Sequence, residues 1–487
     1  MSLRQKIAQG AAWTAMQNVG MQAISLGVFC LLARLLQPEA FGLVAIAVVF
    51  IDFMGLFLSY GLPAAIVQRH TIDQEHLDTA FWVSLGAGIV LTLVGIATAD
   101  LVAHFFKHAQ VKSIIRWLSL GFLLKGLIRV QVAILQRELA LKIIATRSMV
   151  AGFVGGVTAI IMAFLGFGVW SLVARQLTVE FVNVLILWPT CRWRPGLKFS
   201  IRHLRELLGF GVSIMGSNIL TFFNRRTDDF LIGYFLGPVA LGYYTVAYRL
   251  LLIMTRLWGQ IVGAVAFPAF SRVQKELERL REMLYSATRL TSLLAFPAFL
   301  GIFALVPELV PTLFGQQWVP SIPVMQVLTF IGLLHSLLYF QDTVMAGVGK
   351  ASWYLGLQVM ITVANVIGFL IAVRWGIVAV AISYVIVGYL FSPLSFWLVR
   401  RLIMIDLVTY LRQFIPPTVG SLVMLSFIFS LKFSLNNIVP LQFLLATCIM
   451  MSALAYMVTI RLVAPSLAYQ TIDVIRTALQ GIRKEES

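Results

Sequence analysis

The sequence has little charge. Asp, Glu, Lys and Arg make up 12% of its 487 residues, against ~25% in an ordinary soluble domain. Acids are the scarcer sign, 20 against 37 Lys and Arg. Cysteine is nearly absent. Cys30, Cys191 and Cys448 stand far apart with no C-x-x-C spacing, so no disulfide framework or thiolate metal site can be read. The six histidines (His70, His76, His104, His108, His203 and His335) form no H-E-x-x-H or similar ligand pattern. No catalytic constellation and no metal site emerge. No apolar run carries an A-x-A-like cleavage site, so the first run should stay as a signal-anchor helix. No outward loop is long enough to hold a soluble domain.

What is present is apolar sequence. The chain is 60% hydrophobic with a mean hydropathy of +0.92. It reads as an all-α polytopic membrane protein. Fourteen candidate spans cover 11–33, 41–63, 79–103, 113–134, 147–167, 170–190, 209–233, 240–264, 289–311, 323–346, 353–373, 377–399, 412–431 and 439–461. Each is near the ~20 residues that cross the hydrocarbon. The net charge of +17 does not point to nucleic acid, because the charges are spread over many short loops.

Those charges set an orientation. With the N-terminus in the cytoplasm, 24 Lys and Arg fall on the cytoplasmic side, 5 on the other and 8 within spans. The positive-inside rule then places both termini in the cytoplasm. Most tryptophans, Trp318 among them, fall near span ends and read as an interfacial belt.

An internal repeat divides the chain. LLARLLQPEAFG (31–42) aligns with LIGYFLGPVALG (231–242), and Asn18 aligns with Asn218. Gln131 echoes Gln341, and Asp100-Leu-Val echoes Glu308-Leu-Val. Six spans precede each second copy, so the halves run parallel. They imply two six-helix bundles about a pseudo-two-fold axis along the membrane normal. Pro38 and Pro238 are expected in tight outer turns. The expected layout is an N-terminal bundle over 1–190, a cytoplasmic linker over 191–208 lying against headgroups and a C-terminal bundle over 209–400. Two additional helices over 401–464 and a cytoplasmic tail over 465–487 complete it. The 271–286 loop reads as a surface helix.

The candidate site is charge held inside spans. A charge near the bilayer centre costs ~2.5–3.5 kcal/mol, so such residues usually face a bundle interior or a hydrated cavity. The cations are Arg116, Lys125, Arg129, Arg175, Arg225, Arg226, Arg249 and Arg256; the acids are Asp52, Glu180, Asp228, Asp229 and Asp342. At ~100° per residue, Asn218, Thr221, Asn224, Arg225, Asp228 and Asp229 share one arc of span 7. Arg226 lies just off it. Thr245, Arg249, Arg256 and Gln260 form a stripe on span 8 that holds no acid.

The excess of cations favours an anionic ligand. Lys125 and Arg129 are like-charged one turn apart, which is unfavourable without an anion. Two readings stand for Arg225: neutralising Asp229 one turn away, or binding a phosphate. Arg226 is expected to pair with Asp52 or Glu180. Asp52 and Asp342 read as salt-bridge partners or as sites for a coupling cation. Arg116 and Arg175 should snorkel. Tyr243, Tyr244 and Tyr248 are belt residues or sugar platforms.

A family resemblance rests on MSLRQKIAQGAAW, FGLVAIAVVF, SYGLPAAIVQR, QRELALK, RPGLKFS, LGPVALGYYTVAYRL, FPAFSRVQKE and LFGQQWVPSIPVMQVL, in that order from the N-terminus to about residue 345. The chain resembles bacterial polysaccharide flippases of the multidrug/oligosaccharidyl-lipid/polysaccharide exporter superfamily, of the colanic-acid-exporter type. The resemblance implies two six-helix bundles around a V-shaped cavity that opens alternately to either side of the bacterial inner membrane. It implies as substrate an oligosaccharide linked by pyrophosphate to undecaprenol. Membrane lipids, a polysaccharide polymerase and export machinery are the implied partners, and no organic cofactor is. Coupling to Na+ or H+ is left open. Three rivals also stand: a cation-coupled multidrug exporter of the same superfamily, a membrane-embedded polymerase or ligase, and a passive scaffold. An acid-dominated cavity would favour the first. A large outward loop would favour the second.

Overall fold

In a computed structural model of the chain, the structure describes residues 20–58, 66–67, 72–273, 276–347, 350–435 and 438–465. Within these helices the side chains of 205–215, 217, 256–273, 342–343, 346–347 and 351 lie outside the description. The helices are α1 (Gly20–Leu35), α2 (Pro38–Leu58), α3 (Gln74–Phe106), α4 (Ala109–Arg137), α5 (Leu141–Phe164), α6 (Val169–Thr190) and α7 (Ile201–Phe235). They continue as α8 (Gly237–Val273), α9 (Leu277–Leu313), α10 (Ile322–Gly347), α11 (Ala351–Ala372), α12 (Ile377–Ile403), α13 (Ile415–Leu435) and α14 (Leu441–Val463). Each overlaps one expected span. Twelve are long and apolar enough to cross a membrane. The other two are α1, described from Gly20 onward, and α7, part of whose side chains lie outside the description. The chain is a multi-pass, all-α membrane protein.

The chain forms two compact units. One is Met1–Thr245 with Phe369–Ile377, and the other is Val246–Gly368 with Val378–Ser487.

In the first unit, α2 and α8 both begin at the repeated motif. Pro38 and Pro238 sit in the first turns of these helices rather than in the connections. That placement suits proline, which has no N–H to lose there and a preset φ. The two motif copies pack on each other reciprocally. A Cβ on Gly42 would overlap the carbonyl of Pro238, and one on Gly242 would overlap the carbonyl of Pro38. Glycine at both places lets the two backbones touch.

The linker is tied to the first unit by hydrogen bonds. Residues 191–200 fold back over the start of α3. The Trp82 indole donates to the carbonyl of Gly196 (2.8 Å), and the Gly196 N–H donates to Asp78 Oδ1 (3.0 Å). The Ser200 N–H donates to Thr79 Oγ1 (3.1 Å). Ser200 then caps α7, accepting from the His203 N–H, so the helical part of the linker is continuous with span 7. Short polar side chains satisfy an N-terminal amide in this way.

In the second unit, α13 packs on α9 through Ala304, Leu305, Met424 and Ile428, with Leu444 and Cys448 from α14. The Tyr456 hydroxyl on α14 donates to the carbonyl of Leu293 on α9 (2.5 Å). The two additional helices therefore share one core with α9. Trp318 corrects the aromatic-belt expectation: it is 0% exposed. Its 3-10 turn, Gln316–Ser321, folds the ring inward. The surface helix expected over 271–286 is divided between the end of α8 and the start of α9. Residues 274–275 and the tail beyond 465 lie outside the described residues.

Candidate functional site: two charge clusters in the first unit

The first cluster joins α2, α7 and the start of α8. Arg226 reaches across to Asp52 on α2 (Nη2 to Oδ2, 2.6 Å) and along its own helix to Asp229 (Nη1 to Oδ2, 2.9 Å). One guanidinium thus holds two carboxylates, one at each end, as its rigid fork of donors allows. Asp228 points elsewhere. Its Oδ2 accepts from the Tyr244 hydroxyl (2.8 Å) and its Oδ1 from the Asp229 N–H (2.9 Å). Asp228 is 4% exposed, Asp229 8% and Tyr244 0%. The cluster holds three acids to one cation.

This geometry decides between the sequence readings. Asp229 pairs with Arg226, three residues away, and not with Arg225. Arg225 is exposed. Neighbouring positions on a helix differ by ~100°, so the rotation of α7 that turns Arg226 toward α2 turns Arg225 away. Arg226 takes Asp52 as its interhelical partner, and Glu180 is engaged elsewhere. Tyr244 is neither a belt residue nor a sugar platform. It is a buried hydroxyl committed to a carboxylate.

The second cluster joins α4, α5 and α6. Lys125 on α4 lies 3.6 Å from Glu180 on α6. Arg147 on α5 is within electrostatic reach of the same carboxylate. Arg129, one turn from Lys125, is half-buried. Lys125, at least, has a carboxylate of the chain beside it. Glu180 serves two cations, Lys125 and Arg147, and the balance stays positive.

Other candidates fall outside both clusters. Asn218 on α7 and Arg175 on α6 are half-buried. Arg249 is half-buried on the part of α8 in the second unit. The side chains of Arg256 and Asp342 lie outside the described residues. Arg116 is exposed near the start of α4. It and Lys112 hold Asp100 between them, at 3.0 and 2.5 Å.

Two features were not anticipated from the sequence. Tyr244 as the partner of Asp228 is one. The other is Lys432 on α13, which pairs with Glu308 on α9 at 2.6 Å and donates to the carbonyl of Ala304 at 2.9 Å. The signal for the second was present. Asp100 and Glu308 are repeat echoes, and each recruits cations from a neighbouring helix.

Three comparisons bear on this arrangement. A family model described as "Polysaccharide biosynthesis protein" matches residues 31–323. The lipopolysaccharide biosynthesis protein WzxC of Escherichia coli (strain K12) is 30% identical over 345 residues, 69% of each chain. The succinoglycan biosynthesis transport protein ExoT of Rhizobium meliloti (strain 1021) is 28% identical over 322 residues, 66% of this chain and 65% of that one. Among solved structures, the lipid II flippase MurJ in an inward closed conformation superposes with a TM-score of 0.76. It is 14% identical and covers 94% of this chain and 99% of its own. The likeness to MurJ shows a shared fold.

Proposed function

Since the chain belongs to the polysaccharide biosynthesis protein family, we propose that it moves an oligosaccharide linked by pyrophosphate to undecaprenol across the bacterial inner membrane. Its role is transport rather than catalysis. The headgroup passes from the cytoplasmic to the periplasmic leaflet by alternating access of two six-helix bundles, with both termini cytoplasmic. Names among the relatives support this reading, since ExoT is a succinoglycan transport protein. So does the fold shared with a lipid II flippase.

The observation that carries the proposal is the cation excess about Glu180, which pairs with Lys125 and lies within electrostatic reach of Arg147, with Arg129 one turn from Lys125 on α4. A pyrophosphate carries several negative oxygens, and arginine offers paired donors matched to them. Glu180 keeps the cations together in the empty state and yields them when the headgroup enters. Arg249 and Arg256, from their acid-free stripe on α8, are proposed as further anion contacts. The acid-rich cluster at Asp52, Asp228 and Asp229 is unsuited to a phosphate. We assign it to charge balance and to coupling with a cation or proton.

The test is export of the glycan in cells lacking the native gene, complemented by variants. Arg129→Ala with Arg249→Ala should keep membrane abundance while export falls roughly tenfold or more, the value of lost charge-assisted bonds. Lipid-linked repeat units should then accumulate on the cytoplasmic side. Normal export at normal abundance would remove these residues from the site. Raised resistance to cationic dyes on overexpression would instead favour the drug-exporter reading, for which the acid-rich cluster is the supporting feature.

A further inference from the structure

A groove lies between the start of α11 and the end of α12, wholly within the second unit. Its volume is about 340 Å³, in the range of small-ligand sites. Leu357, Met360, Leu394 and Leu398 give it an apolar lining. Trp353 and Trp397 wall it. Arg401 stands at its mouth with its guanidinium 5.7 Å from the Trp353 ring and 5.6 Å from the Trp397 ring. Lys350 approaches Trp353 from the same end, at 5.9 Å.

These groups are arranged for a molecule that is charged at one end and apolar along its length. Two indoles hold the Arg401 fork in place without using its N–H donors, so the donors remain to be offered. Among the described residues no carboxylate forms an ion pair with Arg401 or Lys350. The N-terminus of α11 is at the same end and adds a partial positive charge. Exposed apolar side chains flank the groove, with Leu355 48% exposed and Leu390 69%. On a membrane protein such faces meet acyl chains.

The first half shows what happens when a similar set is used up. Trp188 and Arg192 sit at the end of α6 with the spacing of Trp397 and Arg401 at the end of α12. There the indole packs against Phe81 and is covered by the Arg194 guanidinium at 5.8 Å.

We propose that the α11–α12 groove binds one anionic membrane phospholipid, its phosphate on Arg401 and Lys350 and one acyl chain along Leu357, Met360, Leu394 and Leu398. A free phosphate would make no use of the apolar lining, and a zwitterionic lipid would bring its own cation against Arg401. The leaflet that supplies the lipid rests on the orientation proposed above. The site itself does not.

The full chain, purified and delipidated in detergent, is titrated with phosphatidylglycerol, phosphatidylcholine or sodium pyrophosphate and observed by native mass spectrometry. The tightest phosphatidylglycerol should bind roughly tenfold better than phosphatidylcholine, as a charge-assisted phosphate contact implies. That preference should vanish in Arg401→Ala, weaken in Trp397→Ala, survive in part in Arg401→Lys and be unchanged in Arg400→Ala. Equal binding of the two lipids overturns the proposal, as does wild-type phosphatidylglycerol binding by Arg401→Ala with Lys350→Ala. Displacement of the lipid by equimolar pyrophosphate overturns it in favour of a free-anion site. Since binding in detergent needs neither flipping nor a known leaflet, loss of the flippase reading would leave this result standing, and the reverse holds too.

Discussion

Asp228 and Arg226 show how much depends on single side chains. Asp228 is buried, and its two oxygens accept one hydroxyl and one amide hydrogen. An asparagine of the same shape can accept the Asp229 N–H and donate to the Tyr244 oxygen. Asp228→Asn should therefore leave the thermal midpoint of the detergent-purified protein unchanged or raised. Asp228→Leu removes the carboxylate that accepts from the buried Tyr244 hydroxyl, at a cost of about 1–3 kcal/mol, and should lower it. A fall as large for Asn as for Leu would mean that the negative charge itself is required. Arg226→Ala should be worse than Arg225→Ala, because only the first leaves Asp52 and Asp229 without their shared cation. Thermal midpoints and membrane abundance of the two variants measure this directly. The sequence narrowed the partner of Arg226 to Asp52 or Glu180. It could not choose between Arg225 and Arg226 as the paired residue. Both lie near one polar arc, and the choice depends on how α7 is rotated against α2, a property of packing rather than of spacing.

Elements were more legible than their contacts. Long apolar runs can satisfy their backbone in lipid only as helices, so each span expected from hydropathy coincides with a helix. The docking of α13 on α9 was not legible, because its apolar contacts and its ion pair join residues far apart in sequence. Lys432 and Glu308 are 19% and 13% exposed at the side chain. Removing one partner of such a pair is costly, about 3–5 kcal/mol, while removing both together can be nearly neutral. Lys432→Met should therefore destabilise the protein strongly, and adding Glu308→Gln should recover most of the loss. The double-mutant cycle is read from midpoints in detergent. Additive losses would show that the pair is not coupled. The Pro38 and Pro238 motifs were legible as a repeat, yet their placement against each other was not. It appears only when a Cβ is imagined on Gly42 or Gly242 and meets the opposite backbone.

For the molecule as a whole, the sidedness of its charge makes the strongest demand. In the proposed topology, 24 of the 37 Lys and Arg fall on one side of the membrane and 5 on the other. Translocating a short loop rich in Lys and Arg is opposed during insertion, so the proposed orientation keeps the rich side in the cytoplasm. In that topology Lys198, in the linker, belongs to the rich side, and Gln37, before α2, and Lys107, after α3, to the poor side; all three are exposed. In a chain whose own Cys30, Cys191 and Cys448 are replaced, single cysteines at these positions can be challenged with a membrane-impermeant maleimide. Gln37→Cys and Lys107→Cys should label in spheroplasts, whereas Lys198→Cys should label only after the membrane is opened. Losing one lysine from a side that holds 24 cations cannot reverse the bias, so the variant reports the native arrangement. Labelling of Lys198→Cys in intact spheroplasts would invert the molecule. The proposed direction of transport would then fail, and the Arg401 groove would face the outer leaflet, while the pairing of Arg226 with Asp52 and Asp229 would stand, because it is set inside the helices and not by the side they face.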